Sequence, residues 1–249
     1  MEAKKIFKVI EKHAPLNLQL DFDSSGFNVG NRDAEIVGVL VSENVTHEVI
    51  DEAIEQGCNL IISHHPVIFG DYFDEFTQSL VQHAHDNEIT LYSAHTNLDA
   101  VEGGLNDKLC EVLGIEVQEG YGTCSRIGYF KEPKTLKEKA KEIGKILKDT
   151  NIRTVGNLDR ELKTVAVSCG SGGRDDALVE ELKDKNVDVL IGGENKLSLA
   201  LKMQYYDICL IETGHFNSEI LCKDIFANWL KDIGIKVVKS TKDVNPYNA

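Results

Sequence analysis

The chain alternates apolar, strand-like segments with helix-like segments, and it runs through this order twice. In the first half an apolar run at 36–41 precedes helical spacing at 45–56, and a second apolar run follows at 59–62. Continuous apolar strands joined by helices favour a sheet with a parallel part, because the connecting helices cover its apolar faces. The order therefore predicts an α/β fold built from mixed sheets that helices cover.

The second half repeats this order with a strand at 162–167, a helix at 175–183 and a strand at 187–191. We interpret the match as an internal duplication, although two α/β units can resemble each other by chance. It predicts two similar α/β parts, residues 1–124 and residues 125–249. The boundary is expected within the glycine-containing segment 120–126, because glycines interrupt regular structure.

Composition is that of an ordinary globular protein and excludes several classes. The 249 residues are 42% hydrophobic, and no apolar run approaches the roughly 20 residues that span a bilayer. A net charge of −14 disfavours wholesale binding to nucleic acid, without excluding a local basic patch. The six cysteines show no CxxC spacing, which is typical of free thiols in a reducing compartment, and the N-terminus lacks signal-peptide character. We therefore expect a cytoplasmic protein.

Two histidine–carboxylate steps stand out as candidate metal ligands. His95 precedes Asp99 by four residues, His215 precedes Glu219 by four, and each step follows an apolar run. Residues four apart at the start of a helix face the same way, and imidazole with carboxylate suits a divalent metal. Helix capping would explain the two carboxylates equally well, but it does not explain the histidines.

A pair of adjacent histidines, His64 and His65, follows the strand at 59–62 and precedes Pro66. Neighbouring side chains on a strand point to opposite sides, so the pair could serve two ions, or one ion and the core. The alternative is that both histidines are core residues whose ring nitrogens form hydrogen bonds within the protein. Taken with the two steps, the histidines and carboxylates suit two divalent ions about 3.5–4 Å apart. The candidate ligands are His64, His65, Asp99, His215 and Glu219.

A glycine-rich loop at 170–173 lies between a predicted strand and a predicted helix. Its amides could cradle a phosphate, or the loop could simply be a tight turn.

Four polar segments of the chain contain the candidate ligands or lie near the N-terminus. They are Asp23-Ser24-Ser25-Gly26-Phe27-Asn28-Val29-Gly30, Ser63-His64-His65-Pro66, Ala94-His95-Thr96-Asn97-Leu98-Asp99 and Glu212-Thr213-Gly214-His215-Phe216-Asn217-Ser218-Glu219. These segments resemble the Nif-three-like family, whose members are often called GTP cyclohydrolase I type 2 homologues. The resemblance covers nearly the whole chain in the right order, and its N-terminal motif departs from the family pattern at Ser24 or Ser25 and at Phe27.

The resemblance implies a metal site between the two parts of the subunit and a ring-like homohexamer. It implies that the five candidate ligands hold two divalent metal ions per subunit, whereas His95 faces the substrate or supports a ligand. A metal-bound histidine usually needs an outer hydrogen-bond acceptor, and Glu194, which matches His65 in the repeat, is a candidate for the site wall. The ligand set, which lacks thiolates, suits Fe(II), Zn(II) or Mn(II).

Three functions remain open on the sequence. The first is metal-assisted hydrolysis of a nucleotide or a related heterocycle or phosphate. The second is a non-enzymatic carrier that delivers iron or another metal to a metallo-cofactor pathway. The third is a toroidal DNA-binding protein, which the ring shape of the family allows and the net charge disfavours.

Overall fold

The computed structural model describes residues 1–70, 73–174 and 177–247. In these ranges the strands are β1 (Gly26–Val29), β2 (Gly38–Ser42), β3 (Leu60–Ser63), β4 (Thr90–Ser93), β5 (Ile115–Tyr121), β6 (Ser125–Thr135), β7 (Arg153–Val155), β8 (Glu161–Ser168), β9 (Val189–Gly192), β10 (Cys209–Glu212) and β11 (Lys236–Lys239). The α-helices are α1 (Ala3–His13), α2 (His47–Glu55), α3 (Glu75–Asp86), α4 (Thr96–Ala100), α5 (Leu105–Val112), α6 (Leu136–Leu147), α7 (Leu178–Asp184), α8 (Leu197–Tyr205), α9 (His215–Glu219) and α10 (Cys222–Trp229).

These elements form two compact units. The first consists of Met1–Val101 with Ile220–Pro246, and the second contains Glu102–Glu219. The first unit holds a five-stranded sheet in the order β1-β4-β3-β2-β11, in which only β1 pairs antiparallel. The second unit holds a six-stranded sheet in the order β5-β6-β8-β9-β10-β7. Its β8, β9 and β10 are parallel, whereas its other pairings are antiparallel. The predicted α/β fold with mixed sheets and covering helices is confirmed.

Each unit is held together by apolar side chains from its sheet and its helices. In the first unit Leu40, Ile61 and Leu91, one from each central strand, pack with residues of α2 and α3. In the second unit Ala166 and Leu190 pack with residues of α7 and α8. Burial of this apolar area, at roughly 25 cal/mol per Å², is the main stabilising contribution in each unit.

The two sheets share a core of the same connectivity. In both, three consecutive strands are parallel and lie in the order third, second, first: β4-β3-β2 in one sheet and β10-β9-β8 in the other. A helix covers each connection, α2 and α3 in the first unit and α7 and α8 in the second. This likeness agrees with an internal duplication, which stays a hypothesis about ancestry.

The compact units differ from the predicted halves 1–124 and 125–249. Residues 120–126 form the turn of the β5–β6 hairpin, with Tyr121 paired to Ser125 and Gly122 at a φ of +54°. The glycines therefore make a turn inside a sheet instead of a linker. The C-terminal segment rejoins the first unit because β11 extends the first sheet in parallel with β2 and α10 packs against β2. These tertiary contacts, and not the position of the segment in the sequence, decide this assignment.

The start of α4 decides between the two readings of Asp99. α4 begins at Thr96, with His95 just before it in a non-helical conformation. Asp99 therefore lies in the helix instead of capping it. The helix predicted over 175–183 is seen as α7 from Leu178, and its expected first residues, Asp175 and Asp176, lie outside the described residues.

All six cysteines are free, as the spacing predicted, and the structure shows that five of them are buried. Over 1–70, 73–174 and 177–247, no helix is both long enough and apolar enough to cross a bilayer.

Candidate metal centre

The first group of candidate ligands lies at the carboxyl end of β3, where ligands commonly bind in α/β sheets. His64 is fully buried, and its Nδ1 donates to the carbonyl oxygen of Ala94 at 2.9 Å. His65 is partly exposed, and its Nδ1 lies 2.8 Å from Oδ1 of Asn44. A proton held on Nδ1 leaves the lone pair of a neutral imidazole on Nε2. Both rings therefore have the tautomer in which Nε2 can bind a metal.

Asp99 and His95 join this group from the segment that follows β4. Asp99 is buried, and its Oδ1 lies 3.7 Å from Nε2 of His64. The ring nitrogens of His64, His65 and His95 lie within 4.8 Å of one another. The first unit thus brings together three of the candidate ligands, and it places His95 beside them.

His95 is oriented by a carboxylate to which the sequence analysis assigned no role. Its Nδ1 lies 2.7 Å from Oδ1 of Asp23, whose side chain is fully buried. Asp23 Oδ2 also accepts from Ser25 Oγ and from the amide and hydroxyl of Thr96. Burial alone would raise the pKa of Asp23, but His95 and these donors hold it well below its usual value. Asp23 is the first residue of the N-terminal motif that resembles the family, and this motif was the only indication in the sequence that Asp23 belongs to the site.

The second group lies at the end of β10 in the other unit. His215 begins α9, so His215 and Glu219 are one helical turn apart, and Nε2 lies 2.9 Å from Oε2 of Glu219. The Nδ1 of His215 lies 3.0 Å from Oε2 of Glu194. Glu194 therefore takes the position of an outer acceptor for His215. Although burial lowers the pKa of His215, the two carboxylates raise it to about 9.

Gly170 packs against His215 and Glu219, and no larger residue fits at this position without displacing them. A Cβ built on Gly170 would come 1.8 Å from Oε1 of Glu219 and 3.0 Å from Nε2 of His215. The Gly170 amide donates to Ser218 Oγ at 2.9 Å, and the Gly172 amide donates to the Cys169 carbonyl at 3.1 Å. Because two of its four amides are used internally, the loop has the character of a tight turn that makes room for Glu219.

Aromatic side chains stand next to His95 in the first unit. The ring of Phe69 lies edge-on to His95 with centroids 5.8 Å apart, and Phe22 lies edge-on to Phe69 at 5.9 Å. Phe22 is 59% exposed and Phe69 is 41% exposed. Large aromatic rings left open to solvent beside polar groups are typical of a surface that contacts a ligand or a partner.

The candidate groups have the donor chemistry of a divalent-metal site. His64 and His65 present Nε2 and are held at Nδ1 by an oxygen, His215 has an oxygen partner at Nδ1, and carboxylates stand beside His64 and His215. An outer oxygen on the far nitrogen is the usual support of a metal-binding histidine. The chain is thus an α/β protein with histidine and carboxylate groups that could hold metal ions.

Comparison with known proteins identifies its family. The model of the Duf34/NIF3 (NGG1p interacting factor 3) family matches residues 1–246, and the chain belongs to this family. A relative from Clostridium acetobutylicum, named GTP cyclohydrolase 1 type 2 homolog, is 31% identical over 269 aligned positions, covering 99% of this chain and 98% of the relative. The expected membership is confirmed.

Solved structures show the same fold. The Staphylococcus aureus hypothetical protein SA1388 superposes with a TM-score of 0.88 at 24% identity, over 100% of this chain and 99% of that one. Reduced HcgD from Methanocaldococcus jannaschii superposes with a TM-score of 0.82 at 27% identity, over 96% of this chain and 97% of that one.

Proposed function

We propose that this protein binds two divalent metal ions per subunit at one site. The proposed ligands are His64, His65, Asp99, His215 and Glu219. The observation that carries the proposal is shared by the three histidines: the nitrogen remote from the site is bonded to an oxygen in every case. Such support is usual for metal ligands, and the Nε2 atoms of His64 and His215 face the carboxylates of Asp99 and Glu219, which is the donor pairing a divalent ion takes.

The chemistry of these ligands favours Fe(II), Zn(II) or Mn(II). Imidazoles and carboxylates without a thiolate suit borderline to hard divalent ions. The ions would in turn compensate the buried carboxylates of Asp99 and Glu219, which are costly to bury without a counter-charge.

We propose further that the site hydrolyses a nucleotide or a related heterocycle or phosphate. A bound metal pair supplies Lewis acidity and lowers the pKa of a water toward neutrality. The chain itself supplies His95, which Asp23 holds by Nδ1, so that Nε2 can accept or return a proton. Phe22 and Phe69 offer faces and edges on which a planar ring can pack. The name of the Clostridium acetobutylicum relative also supports a heterocyclic nucleotide as substrate.

Metal content tests the ligand assignment. The protein is purified anaerobically, and metal per subunit is measured for the wild type and for His64→Ala, His215→Ala and Glu219→Ala. Each variant is expected to lose metal, whereas the control His85→Ala, an exposed histidine of α3, is expected to keep it. Wild-type metal content in any one of the three ligand variants would refute the dinuclear assignment.

Turnover separates the three functions. GTP, nucleoside monophosphates and phosphodiesters are supplied with and without chelator. Turnover that chelation abolishes supports hydrolysis. Transfer of metal to an acceptor protein without turnover would instead establish a metal carrier, and salt-sensitive DNA binding would establish the toroidal DNA-binding protein. The homohexamer and the cytoplasmic location also remain predictions, and light scattering tests the former.

A further inference from the structure

A second pair of histidines lies on the outer helices of the first unit, and none of the proposed ligands belongs to it. His47 is the first residue of α2, and His83 lies in the last turn of α3. The two Nδ1 atoms are 2.8 Å apart, and the rings are stacked with centroids 5.0 Å apart. The pair therefore connects the two helices through facing nitrogen atoms.

The outer nitrogens of this pair determine where the protons lie. Nε2 of His83 is 3.1 Å from Oδ1 of Asp51, and an ionised carboxylate can only accept. Nε2 of His47 is 3.0 Å from Oγ of Ser79, which donates its own proton to the Phe76 carbonyl at 2.7 Å. Both Nε2 atoms are therefore donors. In the neutral rings both facing Nδ1 atoms then carry lone pairs.

Two lone pairs at hydrogen-bonding distance repel each other unless a cation lies next to both. Either a shared proton or a metal ion can supply that positive charge. Histidine with an outer carboxylate or hydroxyl on its far nitrogen is the arrangement found around bound metals. The neighbouring Asp51 is exposed, and the net charge of the chain is −14, so cations are attracted to this surface.

The separation of the two nitrogens indicates which metal fits. With metal–nitrogen bonds of about 2.0–2.1 Å, ligands at a right angle stand about 2.9 Å apart, and ligands at a tetrahedral angle about 3.4 Å apart. The observed 2.8 Å is the length of an ordinary hydrogen bond, as in a shared proton, and it is also close to the right-angle spacing of a square-planar or tetragonal site, which Cu(II) and Ni(II) prefer. Cu(II) also binds nitrogen ligands most tightly among the first-row divalent ions.

We propose that His47 and His83 form a separate surface site for Cu(II) or Ni(II), in which the metal bridges α2 and α3 and water completes the coordination. Asp51 and Ser79 orient the two rings. The site is independent of the proposed hydrolytic site, because its residues are not among the ligands assigned there.

Titration of the full chain with Cu(II), followed by electron paramagnetic resonance, tests this site. The wild type is compared with His47→Gln/His83→Gln and with the control His85→Gln on the same helix. We expect the double variant to bind one Cu(II) fewer per chain and to lose a signal with coupling to two nitrogens, while the control retains both. Asp51→Asn should weaken this Cu(II) about tenfold, because it removes the charge on the outer acceptor.

The same titration can also contradict the proposed Cu(II) site. Circular dichroism first establishes that the double variant is folded. If its Cu(II) stoichiometry and spectrum then equal those of the wild type, the pair shares a proton only and the proposal is overturned. Loss of the signal in the His85→Gln control would also overturn it, because the metal would then be bound elsewhere on α3.

Discussion

Substitution of Gly170 by alanine should remove metal while leaving the protein folded. Gly170 has a φ of +52°, and its added Cβ would stand 1.8 Å from Oε1 of Glu219. Ordinary contacts begin at 3.4 Å, so the oxygen must move by about 1.6 Å, the difference between 3.4 and 1.8 Å. Metal–oxygen bonds tolerate deviations of about 0.2 Å. The displaced carboxylate could no longer bind the ion that it binds in the wild type.

The substitution should change two quantities that can be measured separately, the free energy of unfolding and the affinity for metal. A left-handed conformation costs alanine about 1 kcal/mol relative to glycine, and crowding at a packed site adds about 1–3 kcal/mol. In a chain of this size each kcal/mol lowers the melting temperature by about 2–4 °C. Metal affinity should fall by on the order of 100-fold, since even outer supporting residues account for 10–100-fold.

Gly114→Ala is the matched control. Gly114 also has a positive φ, +68°, but an added Cβ would meet nothing within 4 Å. It should therefore show the conformational cost without loss of metal. Competition with a metallochromic chelator gives the affinities, and thermal unfolding without metal gives the stabilities. Equal metal affinity in Gly170→Ala and Gly114→Ala would refute the assignment of Glu219 as a ligand.

Three further predictions concern substitutions in the first unit. Asp23→Asn should lower kcat at least tenfold with unchanged metal content, because His95 loses its charged partner; an unchanged kcat on an identified substrate would contradict this. Phe69→Leu should raise KM for a planar substrate severalfold more than for an acyclic phosphodiester, and equal changes would count against ring packing. Burial raises the pKa of Glu52, but hydrogen bonds from Ser240 and Thr241 outweigh it and lower the pKa below 4.5. The ionised Glu52 carboxylate therefore stabilises the fold at pH values above the pKa of an unfolded glutamate. This stability is lost as the pH falls through the lowered pKa of the folded state. Glu52→Gln should cost about 2 kcal/mol at pH 7 and less at pH 4 in urea unfolding, whereas a pH-independent cost would contradict the charge argument.

Much of the candidate site was predictable because its residues are marked by local pattern. His64 and His65 follow an apolar strand, and His215 and Glu219 have the spacing of one helical turn, which the structure shows as a 2.9 Å contact. These relations depend only on neighbours along the chain. Asp23 was not predictable in this way, because its contact with His95 joins residues 72 positions apart. The same holds for Gly170, whose importance depends on the space that Glu219 occupies.

The alternation of apolar strands and helices determined the α/β class, since the periodicity of burial is a property of each segment alone. The sequence also showed that histidines and carboxylates follow the segments that form β3 and β10. Only the tertiary structure decided how far each compact unit extends along the chain. β11 is a short strand of two valines flanked by lysines, and its sequence does not say which sheet it joins. Its pairing with β2 was decided by hydrogen bonds between segments nearly 200 residues apart, which no local pattern encodes.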